Sequence, residues 1–148
     1  MDNIDLSPLT ARIGDFFQEY IHVAITQIDT QEAIPELTQY QHVVSSKVSG
    51  ALNGEMFLCS DETLIDYICK AFMCQPDSIA PYEVLTEVLN ILLGNVENYI
   101  HNEQNQKLIF QIPKNSSKEE IEKQQNNSCF SITFSTKDSL GCCIYIQN

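Results

Sequence analysis

Residues 83–101 read EVLTEVLNILLGNVENYIH, and no other stretch constrains the fold as tightly. Val84, Leu85, Val88, Leu89, Ile91, Leu92, Leu93 and Val96 cover most of the circumference of a helix with 3.6 residues per turn. A helix that is apolar nearly all round has to be largely buried in the body of a domain. Glu83, Glu87, Asn90, Gly94 and Glu97 interrupt the apolar residues at steps of four, three, four and three, which keep all five on one narrow face. The pattern predicts a helix over about 81–102 with a single exposed polar seam. Two seam residues are poor helix formers: Asn costs several tenths of a kcal/mol relative to Ala, and Gly about 1 kcal/mol. Gly94 leaves the backbone uncovered, which suits either tight packing inside the protein or close approach by another molecule. By pattern alone, Glu87 and Asn90 also read as an ordinary solvated face.

The rest of the chain supplies partners for this helix. Leu9, Ile13, Phe16, Phe17, Tyr20, Val23 and Ala24 recur at three- and four-residue spacing and predict a helix over about 8–28, with Ser7 and Pro8 at its start. Residues 41–49 and 55–60 read as strands joined at an Asn53-Gly54 turn. Ser60 or Asp61 caps a second helix over about 62–73, with Ile65, Ile68, Cys69 and Phe72 inward and Gln75-Pro76-Asp77 ending it. Residues 108–112, 129–135 and 141–147 are strand-like, the last two joined by a short turn at Lys137-Asp138-Ser139. Residues 113–128 are polar and read as a surface excursion carrying one helical turn at 118–123. The expected fold is α+β, with helices on a mainly antiparallel sheet and a weak helix–strand–strand pseudo-repeat. The length of 148 residues suits one domain spanning 1–148.

Charge narrows the choice of partners. Residues 1–106 hold sixteen acids and three bases, net −13, whereas residues 107–148 hold four acids and five lysines, net +1. The overall charge of −12 works against nucleic acid and anionic lipid as partners. It favours a partner with a basic rim, or serves solubility alone. No run of 18 apolar residues offers a membrane span. The opening residues, with Asp2 and Asp5, lack the basic-then-apolar pattern of a signal peptide, so a cytoplasmic location is expected. The six cysteines form no CxxC pair and no Cys/His cluster at zinc spacing, so they are expected to be reduced, buried thiols.

The chemistry available to the seam is limited. No Cys, Ser or His stands beside Glu87 and Asn90 on it, so it contains no activated nucleophile. A carboxamide can nevertheless orient a water molecule without changing its own protonation, a device used in phosphoryl transfer. A carboxylate one turn away can clamp a lysine on a partner. Such a seam suits a protein that completes another protein's active site.

Glu87-x-x-Asn90-x-x-x-Gly94-Asn95 resembles the signature helix of the CheC/CheX/FliY chemotaxis phosphatases, most closely the single-site CheX type. Residues 49–73 (SGALNGEMFLCSDETLIDYICKAFM) resemble that family's hairpin and helix, and residues 109–115 (IFQIPKN) the strand after its signature helix. The resemblance implies a phosphatase acting on the phosphoaspartate of a CheY-like receiver domain. Asn90 would orient the attacking water and Glu87 would contact the partner's active-site lysine. Glu83, Gly94 and Glu97 would help to bind the partner. The protein would need no cofactor of its own, since the receiver would supply Mg2+. A homodimer joined through sheet edges fits the resemblance too. Glu83 departs from the Asp or Ser usual in the family at that position. Residues 9–25 lack the Glu-x-x-Asn-x-x-x-Gly pattern, so no second site is expected. The alternative is a non-catalytic binding or scaffold module in a chemotaxis, flagellar-switch or other two-component pathway.

Overall fold

The computed structural model describes residues 6–30, 34–72 and 80–148. Helix α1 (Leu6–Phe16) passes into a π-helical turn (Phe17–Ile21), followed by β1 (Ala24–Asp29), β2 (His42–Gly50), β3 (Gly54–Ser60) and α2 (Glu62–Ala71). The second half contains α3 (Pro81–Gln104), β4 (Leu108–Phe110), β5 (Lys114–Asn115), α4 (Lys118–Glu122), β6 (Cys129–Ser135) and β7 (Leu140–Gln147). Six strands form one antiparallel sheet in the order β1-β6-β7-β3-β2-β4, and β5 also pairs with β2. The fold is therefore α+β, as expected. Read from either edge, the order pairs helix–strand–strand–strand with its repeat: α1-β1-β2-β3 corresponds to α3-β4-β6-β7.

Strand β1 corrects the first sequence expectation, a helix reaching residue 28. The π-helical turn widens the helix after Phe16, and His22 at φ 64° is left-handed and ends it. Val23 and Ala24 continue the apolar spacing only by coincidence, because residues 24–29 pair with β6 instead. A second correction concerns the β2–β3 turn. Val48 already pairs with Gly54, so Gly54 lies in the strand and residues 49–53 turn the chain. The positive φ falls on Gly50, at 92°. A side chain at Gly54 would collide with the carbonyl oxygen of Ile146. That glycine marks a close strand approach and not a turn.

Alternation along the strands divides the core in two. Met56, Leu58, Phe130, Ile132, Phe134, Cys143 and Tyr145 face α1, α2 and α3. Phe57, Cys59, Cys129, Cys142, Ile144 and Ile146 face the opposite side, where Leu37, Tyr40 and Ile121 cover them. Ile121 is fully buried and anchors α4, so residues 113–128 include a helix that closes this second core. The expected helical turn at 118–123 matches α4.

Asp61 fixes α2. One carboxylate oxygen accepts from the Leu64 N–H at 2.8 Å, capping the helix, and the other accepts from the Leu140 N–H at 2.9 Å, tying the helix start to β7. The expected end of α2 at 75–77 lies outside the described residues. Cys69 in α2 is disulfide-bonded, contrary to the expectation of reduced thiols throughout. Cys59, Cys129, Cys142 and Cys143 are free and buried. Burial pushes the thiols of Cys59 and Cys143 up, and that of Cys142 to about 12. No helix among the described residues is long and apolar enough to cross a membrane.

Candidate functional site

Helix α3 runs for 24 residues, about 36 Å, across the sheet. Pro81 stands in its first turn, where a missing N–H costs nothing, and Asn105 ends it in the left-handed conformation at φ 51°. Val84, Leu85, Val88, Leu89, Leu92, Leu93, Val96 and Ile100 are buried. Burying a large apolar side chain contributes about 1.5–3 kcal/mol each, which offsets the helix-propensity cost of Asn90 and Gly94 several times over.

The structure places the five sequence-predicted residues on one face. Glu83, Glu87, Asn90 and Glu97 are exposed, and Gly94 is half-buried between turns of the same face. A Cβ added at Gly94 would meet no atom of the described residues within 4 Å, its own helix backbone aside. Among the described residues, the space a side chain at Gly94 would enter is therefore open. Glu87 and Asn90 lie one turn apart, about 4.5 Å along the axis. Asn95, part of the sequence resemblance, lies off the seam: it is half-buried, with its carboxamide oxygen enclosed. It stands on the flank towards α1, where the Arg12 guanidinium sits 5.9 Å from the centre of the Tyr99 ring.

The seam extends further than the sequence reading carried it. His101, four residues beyond Glu97, continues the same face and is exposed. Glu97, Asn98, His101, Lys107 and Leu108 line a cavity of about 210 Å³ at that end. Tyr82, 44% exposed, flanks the other end. The spacing signal for His101 was present, since the step of four from Glu97 repeats those before it. Cavities of about 510 and 540 Å³ open elsewhere, and neither includes Glu87 or Asn90. Both residues of the pair are exposed on the helix face. Among the described residues, no group of three His, Cys, Asp or Glu could hold a metal ion. Such a face can position a water or a partner's side chain, and it gains a reaction chamber only when another molecule covers it.

No protein-family model and no curated protein matches the sequence. Solved structures do match. A chain of the CheX–CheY–BeF3–Mg2+ complex from Borrelia burgdorferi is 16% identical, with 99% of this chain and 100% of that one covered at a TM-score of 0.71. A chemotactic CheC-like protein from Shewanella oneidensis is 9% identical, with 97% of each chain covered at 0.69. FliY from Thermotoga maritima is 10% identical, with 93% of this chain and 83% of that one covered at 0.55. The protein therefore has the fold of the CheX, CheC-like and FliY chemotaxis proteins.

Proposed function

We propose that this protein is a CheX-type phosphatase that hydrolyses the phosphoaspartate of a CheY-like receiver domain. The observation that carries this reading is the outward-facing Glu87/Asn90 pair beside open space at Gly94, on a helix buried along its other faces. The match to a structure whose chains include CheX and CheY supports the same partner class. In the proposed complex the receiver covers the seam. The Asn90 carboxamide oxygen accepts from an attacking water and holds it in line with the phosphorus. Water attacks, the bond between phosphorus and the aspartyl oxygen breaks, inorganic phosphate leaves and the carboxylate is restored. Glu87 pairs with the receiver's lysine, fixing register, while Glu83, Gly94 and Glu97 form the contact around it. The receiver supplies Mg2+, which neutralises charge on the phosphoryl group. A homodimer joined at sheet edges belongs to this reading as well; the β4 edge offers Ile109, 59% exposed.

The test measures phosphate lost from a phosphorylated receiver domain with and without the protein. Wild-type protein should accelerate loss, and Asn90→Ala should remove most of the acceleration, a barrier increase of about 2–4 kcal/mol. Far-UV circular dichroism should show an intact fold, because Ala at an exposed mid-helix site favours the helix. Full activity in Asn90→Ala would overturn the assignment. The alternative reading is a binding module that engages the receiver without accelerating hydrolysis. That reading predicts binding with no change in phosphate lifetime.

A further inference from the structure

The face of the sheet turned away from α3 carries a cluster of lysines in a chain otherwise dominated by acids. Twenty Asp and Glu against eight Lys and Arg leave ample carboxylate to pair every cation. Yet Lys47, Lys114 and Lys123 gather around one cavity of about 540 Å³. The register explains how. On β2, Lys47 faces Glu55 of β3, and two residues earlier Ser45 faces Lys114 of β5. Alternation turns these four side chains to the same side, and α4 contributes Glu120, Lys123 and Gln124 across the cavity.

The two carboxylates in the cavity are already engaged. Glu55 accepts from the buried Ser45 hydroxyl at 2.8 Å with one oxygen and from the Gln124 amide at 3.3 Å with the other. Glu120 accepts from the Lys123 ammonium at 3.0 Å. Among the described residues neither Lys47 nor Lys114 has a carboxylate partner. Lys47 and Lys114 thus flank a cavity where three lysines outnumber two acidic side chains. Its volume falls within the range of about 300–1,000 Å³ usual for small-molecule sites. Asn115 and Gln124 add amides at its wall.

We infer that this cavity binds a small, multiply charged anion, with Lys47 and Lys114 as its charge-recognising groups. A phosphorylated metabolite and a polycarboxylate share the required chemistry. The site is independent of the α3 seam, because it lies on the opposite face of the sheet.

The test uses full-length protein, with pyrophosphate and citrate as probes in separate thermal-shift titrations. Each is compared with sodium chloride at equal ionic strength. The melting temperature should rise with the logarithm of probe concentration for at least one probe, as ligand linkage to the folded state requires. The response should weaken as background salt increases. The Lys47→Gln/Lys114→Gln double variant should bind about tenfold or more weakly, since two charge-assisted contacts are lost. Lys137→Gln, outside the cavity, should match wild type. Both cavity lysines are exposed, so the double variant should fold, as far-UV circular dichroism would verify. The relative size of the two responses distinguishes phosphate from carboxylate ligands. Failure of both probes to exceed the chloride control, or equal responses in wild type and the double variant, would overturn the inference.

Discussion

Substitution at Gly94 separates stability from docking. The site is mid-helix, and a Cβ there would meet no atom within 4 Å. Gly94→Ala should therefore gain the helix-propensity difference, about 1 kcal/mol, without a packing penalty. For a chain of this size that gain raises the melting temperature by roughly 2–4 °C. Gly94→Leu should also stabilise slightly, since Leu is only a little poorer than Ala in helices. The same side chain would fill the gap left for an incoming partner. Overfilling a close contact costs about 1–3 kcal/mol, or roughly 5- to 150-fold in affinity. Gly141→Ala provides the opposite control, because its Cβ would strike the Phe134 ring and the Leu64 side chain. That variant should melt lower than wild type. Thermal melts by circular dichroism give the stability terms, and phosphate release from a phosphorylated receiver gives the docking term. Destabilisation of Gly94→Leu by more than about 1 kcal/mol would mean that the space above the seam is not open. Undiminished turnover in a stable Gly94→Leu protein would remove Gly94 from the contact.

Three further outcomes follow from charge. Glu87→Lys should weaken receiver binding more than Glu87→Ala, because like charge across a contact costs more than a missing charge; wild-type association should also slow between low and moderate salt, and stopped-flow rates unaffected by either change would remove the clamp role. Stability should fall as pH rises from about 9 towards 12, because the unfolded chain ionises Cys142 near its ordinary 9.0 while burial holds the folded thiol at about 12. Below that window both states are protonated and the term is constant. Within it, the slope should be about 1.4 kcal/mol per pH unit per such thiol, so urea unfolding free energies that stay level from pH 8 to 10.5 would contradict it.

The legibility of the sequence followed burial. Helix α3 could be read because eight of its side chains are buried in a 3.6-residue rhythm, leaving the seam as the only interruption. Strand β1 could not. It is an edge strand with exposed or half-buried residues throughout, so no alternating apolar pattern marks it. The π-helical turn before it let the spacing of α1 run on through Val23 and Ala24. Asn53-Gly54 misled for a different reason: Gly54 answers a steric demand from the neighbouring strand, and sequence alone does not distinguish that demand from a turn. The polar stretch 113–128 concealed the closure of the second core, because a single side chain, Ile121, carries it. In the proposed site, the exposure of Glu83, Glu87, Asn90 and Glu97 followed directly from the periodicity. The open space at Gly94 required coordinates, since a mid-helix glycine fits internal packing equally well.

Missing β1 left the first half of the expected pseudo-repeat one strand short. Two helix–strand–strand–strand halves build the sheet, so α1 and α3 occupy equivalent places. Among the described residues, α3 continues for 24 residues, whereas α1 has 11 before its π-helical turn. The wider turn and the left-handed His22 direct the first half into β1 early, where α3 continues to Gln104. Glu83 and Glu97, fourteen residues apart, span about 21 Å along the axis of α3. In the proposed complex, the partner contacts that span and places its reacting group over Asn90. The fold repeats, whereas the seam proposed for docking has been read on α3 alone.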